Sequence, residues 1–390
     1  MGRDLLFFLS AASLCGFAGS IVDSTFNNYL NETFHVTNFL RSFIELPREL
    51  PGLLTVFVSA LFFFLGTTHL ATLSMALMAC GLVLMGGASP TVHMLFVWLF
   101  VYSLGQHLFM PLNASIGMDL AREGQTGKRL GQLNGLRNAA AILGSIVVFL
   151  GFRYLHFTFQ VAFIIGAVAL VVASVMMLSM KKGVKHPVGL RMKIHREYRL
   201  YYWLCILFGM RKQIFLTFAP WVLVTVYHKP TQTLATLLAI GGCAGIVFQP
   251  LLGRAIDKLG ERAVLASEAF ILIFVCAGYG LARSVFPESI AFLVAAGCYV
   301  VDQLLMSVGM ARATYLKKIA VDPSHVTPTL AMAQSMDHVF SISIALVSGV
   351  IWSVAGYRFV FLLGAVIACV NLVSALRVRT APRSAAAPAR

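Results

Sequence analysis

Charge is what this 390-residue chain has least of: Asp, Glu, Lys and Arg make up 12% of it, about half the share in a soluble globular protein. Hydrophobic residues make up 59% and include thirty phenylalanines and sixteen methionines. So little polar surface excludes a soluble multidomain protein and leaves a chain that crosses a lipid bilayer repeatedly. Acids are scarcest, fifteen against thirty bases, for a net charge of +15. The bases fall in short gaps between apolar runs rather than in one patch, so no nucleic-acid partner is expected. Paired cysteines are absent as well. Cys15, Cys80, Cys205, Cys243, Cys276, Cys298 and Cys369 stand singly within apolar runs, as small buried hydrophobes do, and no metal or cofactor is expected. The sequence has no GxxxxGK[ST] loop for direct ATP drive. It also lacks the Gly-x-Ser-x-Gly and His-Glu-x-x-His patterns that an intramembrane enzyme would offer.

What is present is a series of long apolar runs. A hydrocarbon core about 30 Å thick needs roughly 20 apolar helical residues per crossing. On that rule the sequence predicts an all-α polytopic protein with twelve spans. The first six lie near 5–30, 38–65, 69–87, 91–117, 131–151 and 158–180. The second six lie near 200–227, 232–253, 261–282, 288–311, 328–353 and 358–377. This divides the chain into a bundle over 1–180, a basic linker over 181–199, a second bundle over 200–377 and a disordered tail over 378–390. The first run continues through Asp23 and Asn27 without a small-residue cleavage site, so it reads as a retained span rather than a signal peptide.

Arg3, Arg122, Lys128, Arg129, the linker bases, Arg254, Lys258, Arg262, Arg312, Lys317, Lys318 and the tail arginines gather on one side of the twelve spans. Arg41, Arg153, Lys229, Arg283 and Arg358 fall on the other. Bases accumulate on the cytoplasmic side. Both termini and the linker are therefore expected in the cytoplasm, in a cytoplasmic (inner) or plasma membrane.

The two halves echo each other. Phe163-Ile-Ile-Gly-Ala-Val168 recurs as Phe361-Leu-Leu-Gly-Ala-Val366, and Leu130–Asn138 aligns with Leu330–His338. After the eighth span comes Gly253-Arg254-Ala255-Ile256-Asp257-Lys258-Leu259-Gly260-Glu261-Arg262. This segment resembles the signature loop of the major facilitator superfamily, Gly-x-x-x-Asp-Arg/Lys-x-Gly-x-Arg. Its glycines permit a tight turn, and Asp257, Arg254, Lys258 and Arg262 can bridge helix ends. The resemblance implies two pseudo-symmetric six-helix bundles and transport by alternating access. Two features depart from the family pattern. The equivalent segment after span two reads Gly66-Thr67-Thr68-His69, and span five lacks the Gly-Pro pair typical of the family's drug–proton antiporters.

Charges inside the spans are the candidate site. They are Asp23 in span one, Glu45, Arg48 and Glu49 in span two, Arg137 in five, Arg211 and Lys212 in seven, Asp302 in ten and Asp337 in eleven. Glu268 stands near the cytoplasmic end of span nine. Each such charge costs roughly 2.5–3.5 kcal/mol at a helix centre and needs a partner or water. The resemblance makes spans three, six, nine and twelve outer supports, and those carry none of the central charges. Glu45, Arg48 and Glu49 share one helical face between Pro47 and Pro51, which suits either a gate or proton site or an internally neutralised cluster. Arg211 and Lys212 are adjacent, about 100° apart and ~16 Å into their span. Their expected role is to hold an anionic solute group, the alternative being to neutralise Asp23, Glu49 or Asp302. Trp221 lines the site or packs in the core, and His107 is a substrate-binding candidate whose alternative is a hydrogen-bonded structural role. Arg137 and Asp337 occupy matching repeat positions and could pair, with His338 beside Asp337 as a titrating group.

With bases and acids nearly balanced, the expected function is a secondary transporter coupled to protons. Its solute would be small, polar, and anionic or zwitterionic, and it would act as a monomer in the bilayer. An efflux pump for amphipathic compounds is the alternative, and an intramembrane enzyme or a sensor represents a different class. The charge bias is tested by reporter fusions at Lys185 and at the C-terminus. Both should report cytoplasm, and an external signal from either would overturn the topology.

Overall fold

A computed structural model describes residues 2–62, 65–122, 125–181, 194–322 and 325–379. The sequence expectations for linker residues 182–193 and tail residues 380–390 lie outside the described residues. Among the described residues all regular structure is helical. The order is α1 (Arg3–Phe34), α2 (Asn38–Phe43), α3 (Glu45–Leu61), α4 (Thr67–Gly87), α5 (Val92–Asp119), α6 (Thr126–Tyr154) and α7 (Phe159–Leu178), then α8 (Arg199–Thr225), α9 (Thr231–Val285), α10 (Glu288–Leu305), α11 (Gly309–Ile319), α12 (Val326–Ala355) and α13 (Tyr357–Ala375). Single 3-10 turns, Arg196–Tyr198 and Met306–Val308, lead into α8 and join α10 to α11.

Local chemistry sets the ends. Thr37, Thr91 and Thr158 each accept a hydrogen bond from the backbone N–H three residues on, capping α2, α5 and α7. His35, His156 and His228 take left-handed backbone angles just beyond α1, α6 and α8, the position where a helix terminates its ladder.

Nine helices among the described residues are long and apolar enough to cross a membrane. One of them, α9, has 55 residues and is two helices meeting at Gly260, whose φ of 79° and ψ of 163° interrupt the helix. That region of backbone space is essentially reserved for glycine. The 17-residue α3 and the charge-bearing α8 stand outside the nine. The arrangement is compatible with twelve spans. It also corrects one expectation: the segment from Gly253 to Arg262 is not a loop, since the helix runs on to Leu259 and only Gly260 leaves it.

The described chain forms two compact units, residues 1–189 with 217–246 and residues 190–216 with 247–390. In the first, α1 packs on α6 and α7, α4 packs on α5 and α7, and α3 packs on α5. Ser20 and Ser145 share a buried 2.7 Å hydrogen bond between α1 and α6, and the Tyr29 hydroxyl donates to the Met85 carbonyl at 2.6 Å. In the second unit Tyr198, Tyr201, Leu265, Leu272, Val308 and Leu316 belong to one apolar core. Phe215 meets Tyr279 and Phe361 edge-on in a buried aromatic group.

Two bases expected in loops are instead buried: Arg41 is fully enclosed and Arg312 is 4% exposed. The physical reason is the same for both. Each lies inside a helix and has a carboxylate within reach, Glu45 one turn after Arg41 and Glu268 beside Arg312.

Candidate functional site

In the second unit three bases meet three acids. From α8, the Arg211 guanidinium donates to Asp302 of α10 in a close ion pair, both side chains almost fully buried. Its neighbour Lys212 donates to Asp337 Oδ2 of α12 at 2.6 Å. Arg312 Nη1 of α11 donates to Glu268 Oε2 of α9 at 3.1 Å. Phe208, one turn before Arg211 and Lys212, links them. Its ring lies 3.5 Å from the Arg312 guanidinium, 5.6 Å from that of Arg211 and 5.9 Å from the Lys212 ammonium. The negative face of the ring helps to hold three cations in one place.

The pairs differ in access. The side chains of Arg211 and Asp302 are 2% and 3% exposed, and those of Arg312 and Glu268 are 5% and 0% exposed. Lys212 and Asp337 are more open, at 19% and 12%. Asp337 Oδ1 is buried and has no hydrogen-bond partner. The carboxyl sits directly over Gly209: a Cβ at that position would come within 1.8 Å of Oδ1. Gly209 is thus the notch through which α12 brings Asp337 to Lys212, one helical turn along α8. Within this unit the partner of Asp337 is Lys212. His338 Nε2 meets the Gln334 side chain at 3.1 Å.

The first unit holds a second constellation. Arg41 Nη1 donates to Glu45 Oε1 at 2.6 Å, and its Nε donates to Asn27 Oδ1 at 3.1 Å. Arg48 stands 3.6 Å from the same Glu45 oxygen and also feels the charges of Asp23 and Glu49. From α5, the Ser103 hydroxyl donates to the Arg48 carbonyl. His107 Nδ1 lies 3.0 Å from the Ser103 hydroxyl and 2.9 Å from the Ser103 carbonyl. Ligand atoms of Glu49 and His107 lie within 4.8 Å of each other. Asp23 is exposed, and Arg48, Glu49 and His107 are half-buried. Trp221 is fully buried and donates to Asn38 Oδ1 at 2.8 Å.

On α9, Arg254, Asp257, Lys258 and Arg262 are exposed, whereas Gly253 and Gly260 are half-buried. The acid of that segment with an ion pair is Glu261, which is buried and holds Lys318 at 2.7 Å. Sequence reasoning missed Arg41, Asn27, Phe208, Gly209, Glu261 and Arg312. The four-residue spacing of Arg41 and Glu45 was a usable signal. The long-range contacts of Phe208, Gly209 and Arg312 left none.

The family model of the Major Facilitator Superfamily matches residues 8–319. The chain belongs to the major facilitator superfamily. No curated protein sequence matches it. Solved structures similar to this superfamily member include the nucleoside transporter NupG, with a TM-score of 0.75 at 12% identity, over 96% of this chain and 98% of that one. A D-xylose-proton symporter aligns with a TM-score of 0.72 at 13% identity, over 97% and 98%. A POT family transporter in complex with 5-aminolevulinic acid aligns with a TM-score of 0.75 at 12% identity, over 96% and 95%. The protein is a multi-pass membrane transporter and not an enzyme.

The enclosure of Arg211 and Asp302 makes a specific prediction for this transporter. Asp302→Ala alone strands a buried guanidinium and should lower the stability of the purified protein by about 3–5 kcal/mol. The apolar double variant Arg211→Met with Asp302→Leu should recover most of that loss. Denaturant unfolding in detergent checks it, and equal, additive losses would mean that the two groups do not depend on each other.

Proposed function

We propose that this transporter carries a small polar organic solute, anionic or zwitterionic, by proton-coupled alternating access. It does so as a monomer in a cytoplasmic or plasma membrane, with both termini and the linker in the cytoplasm. The two six-helix repeats, 1–180 and 200–377, are the moving parts, joined by the basic linker over 181–199.

The observation that carries the reading is the Lys212–Asp337 pair. It combines one acid and one base deep in a membrane helix bundle, open enough to be reached, beside two pairs that are closed. A proton arriving at Asp337 has an unoccupied oxygen to land on, Oδ1, and discharges the pair. Lys212 is then free to hold an acidic group of the solute as a point charge. When the proton leaves, Asp337 recovers Lys212 and the solute is released. Arg211–Asp302 and Arg312–Glu268 keep Phe208 and α8 in place throughout. In the first unit, Asp23, Glu49 and His107 offer further proton-accepting groups, and Arg48 with Glu45 serves as a gate beside them.

The test is a stability screen of the purified protein across metabolite classes, followed by uptake in proteoliposomes. A transported solute stabilises the folded state by mass action. The expected hit is an organic acid or zwitterion whose uptake follows an inward proton gradient. Asp337→Asn should lose that gradient dependence while retaining solute exchange. Stabilisation by amphipathic cations alone would replace this reading with an efflux pump.

A further inference from the structure

Among the described residues, five bases of α2, α3, α8 and α11 have a carboxylate within 4.0 Å: Arg41 and Arg48 share Glu45, while Arg211, Lys212 and Arg312 each have their own. Arg137 of α6 is different. Among the described residues of its own unit it has no carboxylate partner, and its Nε is buried without a hydrogen bond. The ionisable group beside it is a thiol, that of Cys15, and not a carboxylate. A guanidinium retained in a helix core without a counter-charge is costly, and the cost disappears if an anion joins it.

The surroundings point the same way. Leu136, Leu143, Ile146 and Leu150 are 40–58% exposed and form an apolar face of α6. At 100° per residue, Arg137 projects from the other side. Asn134, three residues earlier, is its neighbour on the helix surface and is exposed. Asn138, by contrast, is committed to the Gly242 carbonyl at 3.1 Å. One planar five-donor group with an adjacent amide is suited to a two-point contact with an oxyanion.

We infer that Arg137 is an anion-recognition residue, which takes a carboxylate or phosphate group of the solute into the first unit. The inference rests on the transport reading for its purpose, but the anion preference can be tested without transport. Purified full-length protein is melted in detergent with added acetate or inorganic phosphate, against chloride at matched ionic strength. Wild type should show saturable stabilisation by at least one of the two probes, and the stronger one identifies the acidic group. Arg137→Gln should weaken that binding roughly tenfold or more, and Arg137→Lys by an intermediate amount. Without added oxyanion, Arg137→Gln should melt above wild type, because it removes an uncompensated charge.

A residue acting only as structural support would behave oppositely, melting lower when replaced. That result overturns the inference, as does wild-type probe binding by Arg137→Gln or the absence of saturable stabilisation by either probe in wild type. If the inference fails while the metabolite screen still finds an acidic solute whose uptake depends on Asp337, the transport reading stands and Arg137 leaves it.

Discussion

A charged side chain carried into the hydrocarbon layer must bring its counter-charge with it or be met there by one, since lipid offers neither water nor dipoles. That constraint explains which side chains of this transporter lie together. Glu45 serves two arginines at once, Arg41 within 2.6 Å and Arg48 at 3.6 Å. In the second unit each of three bases has one acid, supplied by a different helix, so the contacts that neutralise charge also hold α8 against α10 and α12, and α11 against α9. Burying an ion pair adds little net stability compared with apolar packing, but breaking one is expensive. Such pairs therefore fix which helix faces meet more than they strengthen the fold.

On the proposed transport reading, the same constraint separates scaffold from working parts. In a closed pair such as Arg211–Asp302 the side chains are only 2% and 3% exposed. Lys212–Asp337 is partly open, and its acid has one oxygen without a partner. Gly209 makes this arrangement possible, because any side chain there would occupy the place of the Asp337 carboxyl. Phe208, one residue before, holds the Arg312 guanidinium against its face. Two adjacent residues of α8 with no charge of their own thus place the charged groups on three helices.

Helix positions were readable from the sequence because lipid imposes one strong and local requirement, a run of about 20 apolar residues. The family could be recognised from the Gly253–Arg262 segment, although its backbone could not: a helix that ends for one residue at Gly260 looks the same in sequence as a loop. Arg41 and Arg312 were misplaced for a related reason. Near a span boundary a base reads as a loop residue unless its acid is seen, and Glu268 meets Arg312 only through folding. Arg211, Lys212, Asp302 and Asp337 were found because charge in an apolar run is conspicuous. Their pairing was hidden, since it depends on which faces of α8, α10 and α12 meet. Matching positions in two repeats suggest equivalent depth but say nothing of a carboxyl's direction, so the contact of Asp337 with Lys212 could not be read from them.

The account turns on Asp337 being the acid that changes protonation while Asp302 does not. Infrared difference spectroscopy of the reconstituted transporter, recorded between alkaline and acidic buffer, reads this directly through the carbonyl stretch of a protonated carboxyl. The account predicts a band that is absent from Asp337→Asn and unchanged in Asp302→Asn. A band that persists in Asp337→Asn and disappears with Asp302 would contradict it, and would make the enclosed pair the one that moves protons.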